Sequence, residues 1–119
     1  MSATLPKCER LSGKTAASSL IAKGRWGRQD HFRYCFSEGS GLEYNRIIVS
    51  VPKKLFKRAV RRNLLKRRMR EVYRNSKEML KKGGIDILFI YSAGEAASLQ
   101  TLAKDMEAAL LHIDESCGQ

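Results

Sequence analysis

The alternation of hydrophobic and polar positions predicts three or four β-strands in this chain. Between His31 and Ser37, aromatic residues alternate with other residues at a period of two, which is typical of a strand. The β-branched run from Arg46 to Val51 predicts a second strand, and Pro52 closes it or leaves it at a sheet edge. The mostly apolar run from Ile85 to Tyr91 predicts a buried strand. A weaker signal indicates one more short strand over Arg25 to Arg28.

Three helices are predicted around these strands. The first covers about Lys7 to Lys23, and Gly24 ends it. The second covers about Lys57 to Lys81, a stretch without Gly or Pro that stops at two glycines. The third covers Ser98 to Ile113 at helical spacing, and the tail over residues 114–119 is expected to fray. The order helix, two to three strands, helix, strand, helix predicts an α+β fold. We expect an α/β sandwich, one sheet with helices packed on it, as a single domain over residues 1–119.

The charge of the chain is concentrated in the second predicted helix and its approach. The sequence holds 23 Lys and Arg against 12 Asp and Glu, a net charge of +11. Between Lys53 and Lys82 there are 14 basic residues and two acidic ones, Glu71 and Glu78, so this segment alone carries +12. The other 89 residues carry −1. Like charge held together repels itself unless an anion neutralises it, so the partner is expected to be a polyanion.

The remaining chemistry-bearing residues form no recognisable catalytic or metal site. The three cysteines are odd in number and contain no CxxC pair, so we expect reduced thiols in a cytoplasmic protein. His31 and His112 have no companion at metal-ligand spacing. Neither a Ser/His/Asp or Cys/His constellation nor a phosphate-binding glycine loop is present, so no catalytic group is expected on the chain itself. No targeting segment or membrane span is predicted.

A helix with an advance of about 100° per residue separates the basic and apolar side chains of this region. The apolar face holds Leu64, Leu65, Met69 and Val72, and we expect it to pack on the sheet. Arg61 and Arg68 interrupt that side and should extend outward along their aliphatic stems. The basic face consists of Arg62, Asn63, Lys66, Arg67, Arg70 and Arg74.

Four alternatives compete for this basic face. A run of charges is ordinarily a solvated helix face, but such faces alternate in sign and this one does not. Membrane attachment is weaker, because the apolar face is modest and is needed for the fold. A duplex-DNA reader with the helix in a major groove is disfavoured, because no zipper heptads follow. A general structural RNA-binding protein of ribosomal type would share the same charge pattern.

The stretch from Ile48 to Arg74 is similar to the signature of the bacterial ribonuclease P protein family. In that family a strand ending in Ser-Val leads through a Lys-Lys pair to a basic helix with an Arg-Asn-Arg motif. The opening from Leu5 to Leu11 and the strand after Asp86 also resemble the family. The matching residues of the signature are Ser50, Val51, Lys53, Lys54, Ala59, Val60, Arg62, Asn63, Lys66, Arg67, Arg70 and Glu71.

The resemblance implies a binding subunit in an RNA-catalysed nuclease. The catalytic RNA would use bound Mg²⁺, held mainly by RNA and substrate, to mature the 5′ end of precursor tRNA. The protein would dock its basic helix on that RNA and hold the 5′ leader in a cleft between sheet and helix. The resemblance also implies a left-handed strand–helix–strand crossover and no obligate protein partner. The RNA-binding residues are then predicted to be Lys53, Lys54, Arg58, Arg61, Arg62, Asn63, Lys66, Arg67, Arg70 and Arg74.

The chain departs from the family pattern at two places. The third residue of the Arg-Asn-Arg motif is Leu64, so one contact is missing and Arg61 or Arg68 would have to compensate. The phenylalanines of the family's first helix are replaced by Ala17 and Ile21. Trp26 and the aromatics of the first long strand are nearby stacking candidates, although core packing is the favoured role for the strand aromatics. The candidate leader-cleft residues are Ala17, Ile21, Phe32, Arg33, Tyr34, Cys35 and Ser50.

Overall fold

The computed structural model describes residues 9–11 and 14–117 and contains three α-helices and four strands. The elements are α1 (Lys14–Lys23), β1 (Arg25–Arg28), β2 (Phe32–Ser37), β3 (Arg46–Ser50), α2 (Ala59–Ser76), β4 (Asp86–Tyr91) and α3 (Leu99–Cys117). A single 3₁₀ turn, Lys77–Met79, follows α2. The predicted α+β fold is confirmed, including the weakly signalled strand β1. No helix in the described residues is long and apolar enough to cross a membrane.

The four strands form one sheet in the order β1-β2-β4-β3. Strand β4 is central: it pairs antiparallel with β2 and parallel with β3. The parallel pair is joined by α2, so the strand–helix–strand crossover is confirmed, while its left hand stays a prediction. Arg46 and Asp86 are register partners in this pair, and Nε and Nη2 of Arg46 each donate to an Asp86 carboxylate oxygen at 2.9 Å. This bidentate contact supports the register at the start of both strands.

One face of the sheet carries the main hydrophobic core. The aromatic side chains of β2 and β4 lie on this face, where Phe32 and Phe89 pack edge-on with 5.6 Å between their ring centres. Helices α2 and α3 cover them, and α2 contributes Leu65, Met69, Val72 and Tyr73. The period-2 alternation of β2 therefore places its three aromatics, Phe32, Tyr34 and Phe36, in the core.

The opposite face of the sheet has a smaller cover, the ten residues of α1. Leu20 of α1 packs on Cys35 and Leu88 in a separate buried cluster. The Cys35 thiol lies 3.3 Å from the Leu20 carbonyl oxygen, and burial raises the pKa of that thiol. Because one short helix cannot cover four strands, part of this face stays accessible.

The first helix begins later than the sequence pattern predicted. Glu9 to Leu11 lie beside β3 instead, where Arg10 forms a parallel bridge with Ile47 and the Leu11 amide donates to the Ile47 carbonyl at 2.8 Å. Pairing with the free edge of β3 satisfies backbone groups that a helix would have used internally. The prediction was therefore wrong over these residues, and its first part, residues 7–8, lies outside the described chain.

The third helix continues beyond its predicted end at Ile113, through residues that were expected to fray. Cys117, one turn after Ile113, is buried. Lys82 Nζ donates to the Cys117 carbonyl at 3.3 Å, and Arg25 Nη1 reaches the Ser116 carbonyl at 3.5 Å. Cations at a helix C-terminus satisfy its free carbonyls and interact favourably with the helix dipole. Residues 118–119 lie outside the described chain.

Replacing Leu65 with Ala should lower the free energy of unfolding by about 2 to 5 kcal/mol, because the side chain is fully buried and its loss leaves a cavity. Urea denaturation measures this change. Val60→Ala is the matched control on the same helix, since Val60 is 80% exposed, and it should change stability by less than about 0.5 kcal/mol. Equal losses in the two variants would contradict the assignment of helix faces.

Candidate nucleic-acid interface

Helix α2 separates its apolar and basic side chains largely as its sequence predicts. Leu65, Met69 and Val72 are buried, and Tyr73 joins them. Leu64 was also predicted on the apolar face, but it is half-buried and lies outside both hydrophobic clusters. Tyr73 was not predicted as part of this face, although its spacing of four from Met69 places it there. Burial raises the pKa of the Tyr73 hydroxyl, and the Glu9 carboxylate raises it further. No residue predicted for the basic face is buried.

The predicted RNA-binding residues lie in the loop after β3 and along α2 as far as its last turn. The loop is anchored by the buried Phe56 and by a turn in which the Leu55 amide donates to the Pro52 carbonyl at 3.1 Å. Half-buried members of the surface are Arg62, Lys66, Arg70 and Arg74. Exposed members are Lys53, Lys54, Arg58, Arg61, Asn63 and Arg67. Contact of these residues with RNA stays a prediction.

Few of these cations are neutralised by the protein itself. The described part of the chain includes all twelve Asp and Glu residues. Of the fourteen basic residues between Lys53 and Lys82, only Arg74, Lys77 and Lys82 contact a carboxylate there. Those three partners are Glu71, Glu9 and Glu38. Eleven cations therefore remain without an acidic partner from the described chain, which favours an external polyanion.

Two arginines of this region also serve the fold. Arg62 Nη1 donates to the carbonyls of Phe56 and Lys57, each at 2.8 Å, and so holds the loop against the first turn of α2. Arg68 Nη1 donates to the Ala97 carbonyl at 2.8 Å, toward the start of α3. Arg68 was expected to extend into solvent, and this expectation was wrong because a buried loop carbonyl lies within its reach. Arg61 is exposed, and it is the better candidate to replace the missing motif cation.

Arg10 lies near Arg70, a neighbour that the sequence did not predict. The bridge to Ile47 and the 2.9 Å ion pair between Glu9 and Lys77 hold residues 9–11 between β3 and α2. Burial lowers the pKa of Arg70, and the charge of Arg10 lowers it further. In residues 9–11 and 14–117, no carboxylate lies within ion-pair distance of either guanidinium. Arg10 therefore extends the cationic surface onto the N-terminal segment.

The second candidate surface is a row of side chains on the α1 face of the sheet, here called the open strip. Strand pairing aligns Arg28, Arg33, Ile90 and Ser50 across all four strands. Arg28 and Arg33 are exposed, whereas Ile90 and Ser50 are half-buried. Trp26 borders the strip at 45% exposure, and the Arg33 guanidinium carbon lies 5.4 Å from the centre of its ring. The strip thus offers an aromatic face, cations and one hydroxyl.

Ala17 and Ile21 lie on the side of α1 that faces the open strip. The other side of α1 lines a cavity of about 220 Å³ through Ala16, Ser19 and Lys23. The sheet contributes Ser37, Asp86 and Arg46 to this cavity, and these three are register partners. At about 100° per residue, Ala17 and Ile21 fall on the opposite side of Leu20. Ala17 is half-buried and Ile21 is exposed. The structure thus brings together four of the predicted cleft residues: Ala17, Ile21, Arg33 and Ser50.

The other three predicted cleft residues do not reach this surface. Phe32 and Tyr34 are 0% and 1% exposed in the main core, so their rings cannot stack on a ligand. Cys35 lies on the same face of the sheet as the open strip, but α1 covers it. These three predictions were wrong, because α2 and α3 cover the aromatic face and Leu20 covers Cys35. Arg28 and Ile90 belong to the strip and were missed; only strand register identifies them.

Comparison with known proteins gives a consistent result. The sequence model described as Ribonuclease P matches residues 5–114. A ribonuclease P protein component from Porphyromonas gingivalis is 31% identical over 117 residues, which cover 92% of this chain and 85% of the relative. One from Thermotoga petrophila is 34% identical over 90 residues, with 76% and 74% covered.

Solved structures agree with the sequence comparison. The RNase P protein from Thermotoga maritima superposes with a TM-score of 0.77 at 28% identity, covering 87% of this chain and 96% of that one. The RNase P protein from Staphylococcus aureus gives a TM-score of 0.76 at 24% identity, covering 90% and 95%, and this similarity concerns the fold.

Replacing Arg10 with Gln should raise the free energy of unfolding at low salt by about 0.5 kcal/mol, because it removes repulsion of Arg70. The gain should disappear near 1 M salt, where the screening length is about 3 Å. Chemical denaturation at several salt concentrations measures both effects. Lys104→Gln, which removes the same charge from an exposed position on α3, is the control. An equal gain in the control would attribute the effect to net charge alone.

Proposed function

The chain belongs to the ribonuclease P protein family, and on that premise we propose that it binds the catalytic RNA through α2 and the 5′ leader of precursor tRNA through the open strip. Ribonuclease P is an endoribonuclease whose RNA subunit performs the cleavage, and the protein component assists tRNA maturation. The family works with the ribonuclease P RNA and precursor tRNA.

The observation that carries the first assignment is the uncompensated charge along α2. Eleven cations between Lys53 and Lys82 have no acidic partner in the described chain, and six of them lie on α2, a helix fixed by a buried face. Arginine predominates on this helix, and its planar guanidinium suits bidentate contact with phosphate and stacking on bases. Such a surface fits an RNA backbone and predicts binding that weakens steeply with salt.

The open strip supports the second assignment. A single strand bound without sequence preference needs an aromatic face for its bases and cations for its phosphates. Trp26 supplies the ring, and Arg28 and Arg33 supply the cations. Ser50 lies at the β3 end of the strip, and Ile21 of α1 borders it. The strip is therefore our candidate for the leader contact.

Magnesium is expected to be held by the RNA subunit and the substrate. Within the described residues, no group of three or more His, Cys, Asp or Glu is arranged to hold a metal ion. In the proposed mechanism the role of the protein's residues is to bind and position RNA.

Reconstituted precursor-tRNA cleavage tests the first assignment. Adding this chain to its own RNA subunit should lower the Mg²⁺ concentration needed for cleavage. The double variant Lys66→Ala, Arg67→Ala should need more Mg²⁺ than the unmodified chain. Its plot of log affinity for the RNA subunit against log salt should lose about two units of slope, because each phosphate contact contributes nearly one.

Lys104→Ala is the matched control for this experiment, because Lys104 is an exposed cation on α3, away from the basic face. Its salt slope should stay that of the unmodified chain. No stimulation of cleavage by the unmodified chain would refute the proposal. Tighter binding to ribosomal RNA than to the ribonuclease P RNA would favour the alternative of a general structural RNA-binding protein.

Trp26→Ala tests the leader contact. In the holoenzyme it should weaken binding of precursor tRNA by about tenfold, the effect expected from the loss of one stacked base. Binding of mature tRNA, which has no leader, should not change. Fluorescence titration with both RNAs measures the difference. Tyr44→Ala is the control, because Tyr44 is an exposed aromatic in the loop between β2 and β3; an equal loss in that variant would disprove a specific role for Trp26.

A further inference from the structure

The outer side of α2 carries an apolar pair that the fold does not use. Val60 is 80% exposed, more than any other large hydrophobic residue in the described chain. Leu64 follows one turn later on the same side and is half-buried. Neither side chain belongs to the two hydrophobic clusters of the protein or packs against them. Exposing this pair to water is unfavourable, and the core gains nothing from it.

The apolar pair lies inside the cationic surface. Asn63 and Arg67 flank it on one side of the helix and Arg61 on the other, and all three are exposed. The carboxylate on this side of the helix that is nearest in sequence is Glu71, two turns after Leu64, and it already pairs with Arg74 at 3.5 Å. A ligand that contacts Val60 and Leu64 therefore meets cations on both sides, so it must be anionic around an apolar centre.

We propose that Val60 and Leu64 contact the face of an unstacked base in the catalytic RNA. The proposal rests on the proposed docking of α2 on that RNA and adds the kind of nucleotide that meets its centre. An unstacked base offers a flat apolar face within a phosphate backbone, which matches an apolar pair between guanidinium groups. A regular A-form helix presents no such face to an α-helix, because its bases are stacked and its major groove is narrow.

Other occupants fit this patch poorly. A stable protein partner needs an interface of about 1,200 to 2,000 Å² with an apolar centre, far more than two aliphatic side chains provide. A membrane-surface helix needs a broad apolar face, and the broad apolar face of α2 is buried in the core. The charge that surrounds the pair selects nucleic acid among the alternatives.

Leu64 stands where the family motif resembled by this chain has an arginine. An ionic contact at that position would weaken with salt through counterion release, whereas an apolar contact would not. The chain has thus exchanged one salt-sensitive contact for a salt-insensitive one. Loss of the Leu64 contact should therefore change the affinity for RNA without changing its salt dependence, whereas loss of a phosphate contact by a neighbouring side chain should change both.

Affinity for the chain's own RNA subunit, measured at four or more salt concentrations, tests the proposal. Leu64→Ala should weaken binding about five- to tenfold at every salt concentration without changing the slope. Leu64→Arg should steepen the slope by about one unit, because it restores a phosphate contact. Leu111→Ala is the control, an exposed leucine on α3 that should leave affinity unchanged.

The outcomes distinguish this proposal from the docking on which it rests. If Arg67→Ala weakens binding and lowers the slope while Leu64→Ala has no effect, the apolar contact is refuted and the docking stands. If neither variant has an effect, the docking itself is refuted. A Leu64→Ala variant that lowers the slope would also overturn the apolar contact, because the position would then act through charge. Urea denaturation of Leu64→Ala should match the unmodified chain, which excludes misfolding as the cause.

Discussion

The burial of one aromatic face of the sheet is the constraint on which the rest of this structure depends. Phe32, Tyr34 and Phe36 can lie only on one side of β2, and α2 and α3 are both needed to cover them. This leaves the ten-residue α1 as the cover of the opposite side. The accessible row beside α1 therefore follows from the distribution of helices between the two faces. The same packing fixes α2 by its apolar side and turns its cations outward.

The electrostatic design follows from where the carboxylates are placed. Four acids hold separate segments of the chain together by pairing with a basic side chain of another segment. These pairs are Glu9–Lys77, Glu38–Lys82, Asp86–Arg46 and Asp105–His31. Only Glu71 pairs within α2 itself. The protein thus uses its acids to support the fold and leaves the middle of α2 unneutralised. The fold accepts the resulting repulsion because the buried side of α2 is large and apolar.

Periodicity and charge in the sequence predicted the strands, the order of elements and the basic face, because these features depend on neighbours within one element. The sequence pattern did not decide which face of β2 packs in the core and which lines the cleft. A period of two shows that the two faces differ, but it does not show which one is covered. Arg62 and Arg68 also donate hydrogen bonds to loop carbonyls. The sequence pattern did not predict these bonds, because the carbonyls come near the helix only in the folded chain. The position of Arg10 near Arg70 was not predicted, because a strand bridge to Ile47, 37 positions away, places it there.

The central position of β4 has a consequence for how the protein is made. Of the three strand pairs in the sheet, only β1–β2 lies wholly within the first half of the chain, and both other pairs require β4. During synthesis from the N-terminus, β3 and the newly formed basic helix must therefore wait, without a sheet to pack on, until residues 86–91 have left the ribosome. Contacts between distant segments raise the entropic cost of closing the fold, so assembly of the core is a late event. The segment with the highest positive charge is thus synthesised before the sheet on which it packs can form.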